Sequence, residues 1–447
     1  MYPIESKLNF DNYSLIRMRT TKSIDSRIEF KAKSGRTIYV DWGDGTKIAY
    51  PRNIDLISGA VKSNVIMVYS EVPIEKFFCI NLSLDFLDTE KSPELKVLYC
   101  SFNELSELNL THLKDLIFLD CSKNSLKSLD ISQNINLKTL ECWKNSIEKI
   151  DISGLTELKY LDCGHNQISQ IQLRNNSSLT ELYFPHNEVQ EIAISECPNL
   201  SDFNCNNNKI SELDISKNNN LHFLACSNNN LSELEAIFSP NLEKIACRNN
   251  QLTFLSINGA NIETIVCSNN RLTALILTDL NTLQYLDCSH NQIENLVFSP
   301  STSLETLLCT HNKIHSLDVS IFKNLYRLSC DNNQLSKLRV DKNNNMTRLD
   351  CSFNQIDELD LSTLSNISSL NCCNNQLSEL ILPKNNTLTE LNCSSNRLHC
   401  LDISHLSQLK TINCSENNLQ TFVMLHPKNY YQLNYDYHDN LKLTINR

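Results

Sequence analysis

Nineteen cysteines and eleven histidines are the residues of this 447-residue chain best suited to chemistry, and their spacing narrows what that chemistry is. Sixteen of the cysteines form one row from Cys79 to Cys414, stepping by 21 residues, with one step of 20 and Phe184 filling one place. Such a row puts cysteines on neighbouring strands, roughly 4.8 Å apart with parallel Cβ vectors. A disulfide needs Cβ atoms about 3.8 Å apart and aimed at each other. No Cys-x-x-Cys pair offers a zinc site, and the adjacent Cys372 and Cys373 would point to opposite faces of a strand. The row reads as small buried hydrophobes with free, unreactive thiols. Only Cys197, Cys373 and Cys400 lie off it, and these three are expected to be the ones a thiol reagent reaches.

Four histidines, His165, His186, His290 and His311, each precede an asparagine of fixed phase. They form two neighbouring pairs that could offer two imidazoles to a metal. The spacing supplies no third ligand, so a solvated loop row is the better reading. Asp41 and Asp44, which flank Trp42, could bind calcium, but turn-forming aspartates are far commoner. No phosphate loop, His-Glu-x-x-His or nucleophile elbow occurs. The residues imply no enzyme, no metal and no cofactor.

The elements that position these residues follow from the same period. Sixteen asparagines, from Asn103 to Asn417, stand three places after the cysteine row, with 21-residue steps except for 20 between Asn250 and Asn270. One repeat reads LKTLECWKNSIEKIDI over 137–152. Leu140 and Cys142 alternate with Glu141, which is the period of a half-buried strand. Successive coils then stack their strands into one parallel sheet, each coil burying its apolar residues on the next. The Asn carboxamide has two donors and an acceptor to satisfy backbone groups where the strand ends. With only seven glycines in the chain, asparagine must also serve the left-handed turns, as in the runs Lys217–Asn220 and Lys342–Asn345. Few or no helices are expected.

The fold class is therefore mainly β, a solenoid over 74–424. Before it, residues 1–73 show short alternating stretches (Leu15–Arg19, Arg27–Ala32, Thr37–Trp42, Lys47–Tyr50, Val65–Tyr69) around an Asp44-Gly45 hairpin turn. These predict a small antiparallel β-sandwich-like domain that caps one end. Residues 425–447, where tyrosines replace the Leu/Cys spacing, are expected to cap the other. The net charge of −11 divides into +3 over 1–73 and −14 over the rest, the wrong sign for a nucleic-acid partner. No apolar run is long enough for a membrane span, and the first residues carry no export signal. A soluble monomer is expected.

At the outward strand positions of the first five asparagine-bearing coils stand Tyr99, Phe118, Trp143, Tyr160 and Tyr183, with Asp120, Glu141, Asp162 and Glu181 and no basic residue. Tyr and Trp bury large area at small entropic cost and dominate binding hot spots. A ligand-binding patch of Tyr99, Phe118, Asp120, Glu141, Trp143, Tyr160, Asp162 and Tyr183 on the concave sheet is expected, centred on Trp143. A mixed-sign group, Tyr285, Asp287, Arg327, Arg348 and Asp350, is the second candidate.

The pattern L-x-x-L-x-C-x-x-N at 21 residues resembles the bacterial leucine-rich repeats of the internalin J type, in which a cysteine ladder replaces one leucine. The segment Ile38-Tyr39-Val40-Asp41-Trp42-Gly43-Asp44-Gly45-Thr46 looks like the PKD-like module that precedes such repeats in Bacteroidetes surface proteins. The resemblance implies a cell-surface or secreted adhesion protein that binds a protein, such as a host protein, or a glycan. An intracellular scaffold or effector using the same surface is the alternative, because no export signal is seen.

Overall fold

The computed structural model describes residues 10–54, 56–237, 239–257, 261–298 and 303–446. It divides into two compact units, Met1–Asn230 and Leu231–Arg447. Among the described residues the only helical segments are two short 3-10 turns, Ile194–Glu196 and Pro427–Asn429.

The first unit opens with antiparallel strands. Ser14–Thr20 and Arg27–Ser34 alternate buried and exposed positions, so each gives one face to a core. Ser14–Thr20 lies in a five-stranded sheet ordered Lys47–Tyr50, Ile38–Asp41, Val65–Ser70, Ser14–Thr20, Leu84–Lys91. Arg27–Ser34 pairs with Ile57–Ala60 and with Ile74–Phe78. Ile16, Met18, Phe30, Val40 and Trp42 are buried. Gly59 is required there, because a Cβ on it would lie 2.2 Å from the Trp42 ring. Asp41 Oδ1 accepts the N–H groups of Gly43 (2.8 Å) and Gly45 (3.0 Å), which makes it the turn-forming aspartate.

Ile74–Phe78 also pairs in parallel with Val97–Tyr99, so the antiparallel sheet runs directly into the coils. From there, three-residue strands stack in parallel at the repeat period, from Val97–Tyr99 to Phe223–Ala225 in the first unit. In the second unit they run from Lys244–Ala246 to Gln432–Asn434. Residues beyond 425 add one strand to this sheet and one, Lys442–Asn446, to the return side.

The ladder asparagines do what their chemistry predicts. Asn166 Oδ1 accepts the N–H of Ile147 in the preceding coil (3.0 Å), and its Nδ2 donates to Cys142 (3.1 Å) and Cys163 (3.0 Å) carbonyls. The same set recurs at Asn187, Asn291 and Asn396. Asparagine does serve many of the left-handed turns, among them Asn207, Asn228, Asn249 and Asn332, but, Lys342 apart, not within the two runs read from the sequence. They fall on the residue before each ladder asparagine, whatever its type: Phe102 (φ 57°), Lys123 (50°), His165 (53°), Glu416 (55°). Stacking offsets the strain, since this residue's N–H donates across to the next coil, as from His165 to Pro185 (2.7 Å). Of the two runs, only Lys342 is left-handed. Asn343 instead turns inward, buried, and donates to Val319 and Phe322 carbonyls (2.9 and 2.7 Å). Asn134 and Asn176 make the equivalent bonds.

All nineteen thiols are free and all but Cys400 are buried. This corrects the expectation for Cys197 and Cys373. Cys197 packs inside the turn it closes, fully covered, and the Cys373 sulfur lies 3.3 Å from Asn374 Nδ2, with the residue only 6% exposed. Burial pushes the ladder thiols well above the ordinary cysteine range. A thiol reagent should therefore label about one cysteine in native protein, lost in Cys400→Ser, and many more in denaturant. Mass spectrometry counts the adducts; extensive native labelling would defeat the buried ladder.

Asn187→Ala removes three bonds to buried backbone and should destabilise by about 1–3 kcal/mol. Asn136→Ala, which loses one exposed bond to Lys114, should cost far less. Urea titration of both variants checks the contrast.

Candidate functional site

The strand register turns the outward residues of the first unit into columns. One column runs Phe78, Tyr99, Asp120, Glu141, Asp162, Tyr183, Asn204. Beside it runs Val97, Phe118, Thr139, Tyr160, Glu181, Asp202. Tyr99, Phe118, Tyr160 and Tyr183 are all half-buried, with one side toward solvent. Tyr99 stacks on Phe118 (4.5 Å) and on Phe78 (4.9 Å, planes 13° apart). Phe78 belongs to this group but precedes the first ladder asparagine. Its signal was its place immediately before Cys79, as Tyr99 stands before Cys100. Farther along, Tyr160 and Tyr183 pack at 5.6 Å, and the Tyr183 hydroxyl donates to Glu181 (3.1 Å).

Between the two aromatic groups lie three carboxylates in register on adjacent strands, Asp120, Glu141 and Asp162. Asp120 is buried and accepts both the Ser122 N–H (3.0 Å) and hydroxyl (2.6 Å). Asp162 accepts the Gly164 N–H (3.0 Å). Burial raises the Glu141 carboxyl above its ordinary range, and the charges of Asp120 and Asp162 add to it. Asp162 is raised by burial, against the Gly164 bond.

Trp143 stands apart from the stack. Its ring lies 6.5 Å from Phe102, edge-on, and the Lys123 ammonium sits 3.8 Å from the Phe102 centroid and 4.9 Å from that of Trp143. Lys144 is over the Trp143 ring at 5.4 Å. These lysines occupy the left-handed row, one position beyond those read from the sequence, so the patch has a basic border along one edge. In the second unit, Tyr285 and Asp287 share a strand, as do Arg348 and Asp350. Asp350 is engaged by Ser352 and by Asn371 (3.0 Å), within its own sheet.

Both histidine pairs are in contact, His165 on His186 (4.2 Å, 14°) and His290 on His311 (4.4 Å, 15°). Parallel planes leave the nitrogen lone pairs side by side instead of convergent. Among the described residues no group of three His, Cys, Asp or Glu could hold a metal ion.

The sequence of residues 135–175 matches the family model for leucine-rich repeats in two copies. No curated protein sequence matches the chain. Among solved structures, the functional domain of InlJ from Listeria monocytogenes, described as including a cysteine ladder, is 27% identical with a TM-score of 0.63. That likeness covers 82% of this chain and 77% of that one. The coils are leucine-rich repeats with a cysteine ladder. Two further structures share the fold. YopM from Yersinia enterocolitica is 23% identical with a TM-score of 0.62, covering 83% of this chain and 91% of its own. The plant peptide hormone receptor RGFR1 in complex with RGF2 is 19% identical with a TM-score of 0.62, covering 79% and 68%. No helix among the described residues of the repeat protein is long and apolar enough to cross a membrane.

The carboxylate column sets a pH dependence. A carboxyl whose folded pKa is raised binds its proton more readily in the folded state, so this contribution favours folding as pH falls through that value and opposes it above. Glu141→Gln removes the charge at neutral pH and should raise the urea midpoint there. The gain over wild type should shrink as pH falls through the raised value; a constant gain would mean that charge is not its cause.

Proposed function

We propose that this protein is a non-catalytic recognition protein that binds a protein ligand through the sheet face of its first unit. The observation that carries this is the arrangement of Tyr99 and Phe118 at one end, Tyr160 and Tyr183 at the other, and the in-register Asp120, Glu141 and Asp162 between them. Like charges directly opposite on neighbouring strands destabilise a sheet, so a partner presenting Lys or Arg there relieves a standing repulsion. Aromatic groups that already touch one another lose little freedom on binding. Trp143, engaged with Lys123 and Lys144, forms the edge of the surface and not its centre. The protein-binding reading is supported by the shared fold with a receptor solved in complex with RGF2. A cell-surface or secreted place is supported by the 27% likeness to the InlJ domain. An effector acting inside another cell would use the same face, and fractionation of the native organism separates the two.

Screening the purified chain against protein and glycan arrays supplies a binder. With it, Tyr99→Ala and Phe118→Ala should each weaken binding by about 2 kcal/mol or more at unchanged urea midpoint, and Trp143→Ala by less. Association with a basic protein should slow as salt rises. A glycan stacked on the rings would show little salt dependence. If both ring deletions bind like wild type, the first-unit face is not the site, and the Arg327–Asp350 surface is tested next.

A further inference from the structure

The return side of the coils carries a second signal, in the second unit. In six coils its outward column holds an aspartate that caps its own turn: Asp130, Asp151, Asp214, Asp318, Asp360 and Asp402 each accept the N–H two residues on, at 2.8–3.0 Å. In two successive coils the place is taken by Ile276 and Val297, which pair across adjacent strands and are 60% and 45% exposed. Phe254, one coil earlier, is 50% exposed. Local stability favours the capping aspartate, so the fold itself gives no reason for a run of exposed apolar groups here.

The patch lies over a seam. Glu233–Ala236 pairs with Phe254–Ile257, and Ala274–Leu277 pairs with Asn295–Phe298, and a cavity of about 490 Å³ lies against the second and third of these strands, within the range of ligand pockets. Phe254 and Ile276 line it with Leu255 and Ile257 of the core, and Thr253, Thr273, Thr278 and Asp279 add polar groups to its wall. A cavity of similar size, about 520 Å³, borders Gln170–Gln172 in the first unit, but there a cation, Arg174, is among the lining residues. The rim here is acidic: Glu233 and Glu235 are exposed beside Phe254 and Ser256. No Lys or Arg occurs in 232–237, 253–257, 273–279 or 294–298.

We propose that this seam is a docking site for a segment of a partner protein that presents a large aliphatic or aromatic side chain flanked by Lys or Arg. The apolar side chain enters between Phe254 and Ile276, and the flanking cation meets Glu233 and Glu235. Charge selects this occupant. A second copy of the chain, at net charge −11, would set two acidic rims together, and a neutral hydrophobe would leave the rim unused.

The test uses the full chain and a fluorescein-labelled heptapeptide alternating lysine with leucine and phenylalanine, read by anisotropy, beside a counterpart with glutamate for lysine. The lysine peptide should bind and the glutamate peptide should not. Ile276→Asp adds negative charge, so non-specific attraction would tighten, whereas seam binding should weaken about tenfold or more. Ile381→Asp, at the same column in another coil, should bind like wild type. Glu233→Gln with Glu235→Gln should weaken binding several-fold and flatten its salt dependence. Phe254→Ser replaces Ile276→Asp if circular dichroism shows the latter unfolded. Equal binding by wild type and the seam variant overturns the proposal, as does equal loss in Ile381→Asp. Equal binding of the glutamate peptide points to a plain apolar pocket, and a dimer in sedimentation that Ile276→Asp dissolves points to a second copy; either also overturns it.

Discussion

Everything in the coils depends on one side chain being able to answer three buried backbone groups at once. A ladder asparagine such as Asn166 accepts one N–H from the preceding coil and donates to two carbonyls of the cysteine row, one in that coil and one in its own. A strand of three residues leaves polar backbone at its end with nowhere to go in an apolar interior, and an unpaired buried group costs about 1–3 kcal/mol. Aspartate would offer acceptors only, and glutamine would set the amide one methylene farther out. The cysteine row follows from the same geometry. Beneath the asparagine bonds there is room for a small, apolar, fully buried side chain, and the thiols there make no bridges. Where Phe184 replaces one, it contacts Phe203 of the next coil at 5.7 Å, so a larger pair fills the space.

This constraint explains how much was legible in the sequence. The ladder is written at fixed phase because the bonds are strict, so strand positions, the inward Leu and Cys, and the role of asparagine could all be read from spacing. The left-handed residue was less legible. It is Phe, Lys, His, Asn, Ser or Glu by turns, since its requirement is a backbone hydrogen bond to the next coil and not a side chain. Composition therefore pointed to the asparagine runs, both of which instead supply a residue, Asn218 and Asn343, to a second, inward-facing set of bonds. That set was hidden because other coils have leucine at the same phase, at Leu113, Leu155 and Leu364.

The candidate face was legible by column but not by contact. Spacing puts Asp120, Glu141 and Asp162 side by side, and register alone secures that. It could not say that Tyr99 would lean across to stack on Phe118, or that Lys123 would reach back over Trp143. Those depend on side-chain rotamers over several coils. The lysines were missed because the outward reading stopped one residue before the turn, where a long side chain can still return to the sheet.

A repeat fixes the inward half of every coil and leaves the outward half free, which changes what counts as a functional signal. Repetition reports stability; a departure in an outward column reports something the stack does not need. Asp120, Glu141 and Asp162 repel one another across strands, a cost set against the turns that Asp120 and Asp162 each cap. Ile276 and Val297 give up a turn cap and expose apolar surface. Each departure runs through successive coils, one on the sheet side of the first unit and one on the return side of the second. Because each coil touches only its neighbours, a change in these columns perturbs two interfaces at most. The array can therefore carry locally unfavourable surface residues for the sake of a partner without losing the ladder that holds it together.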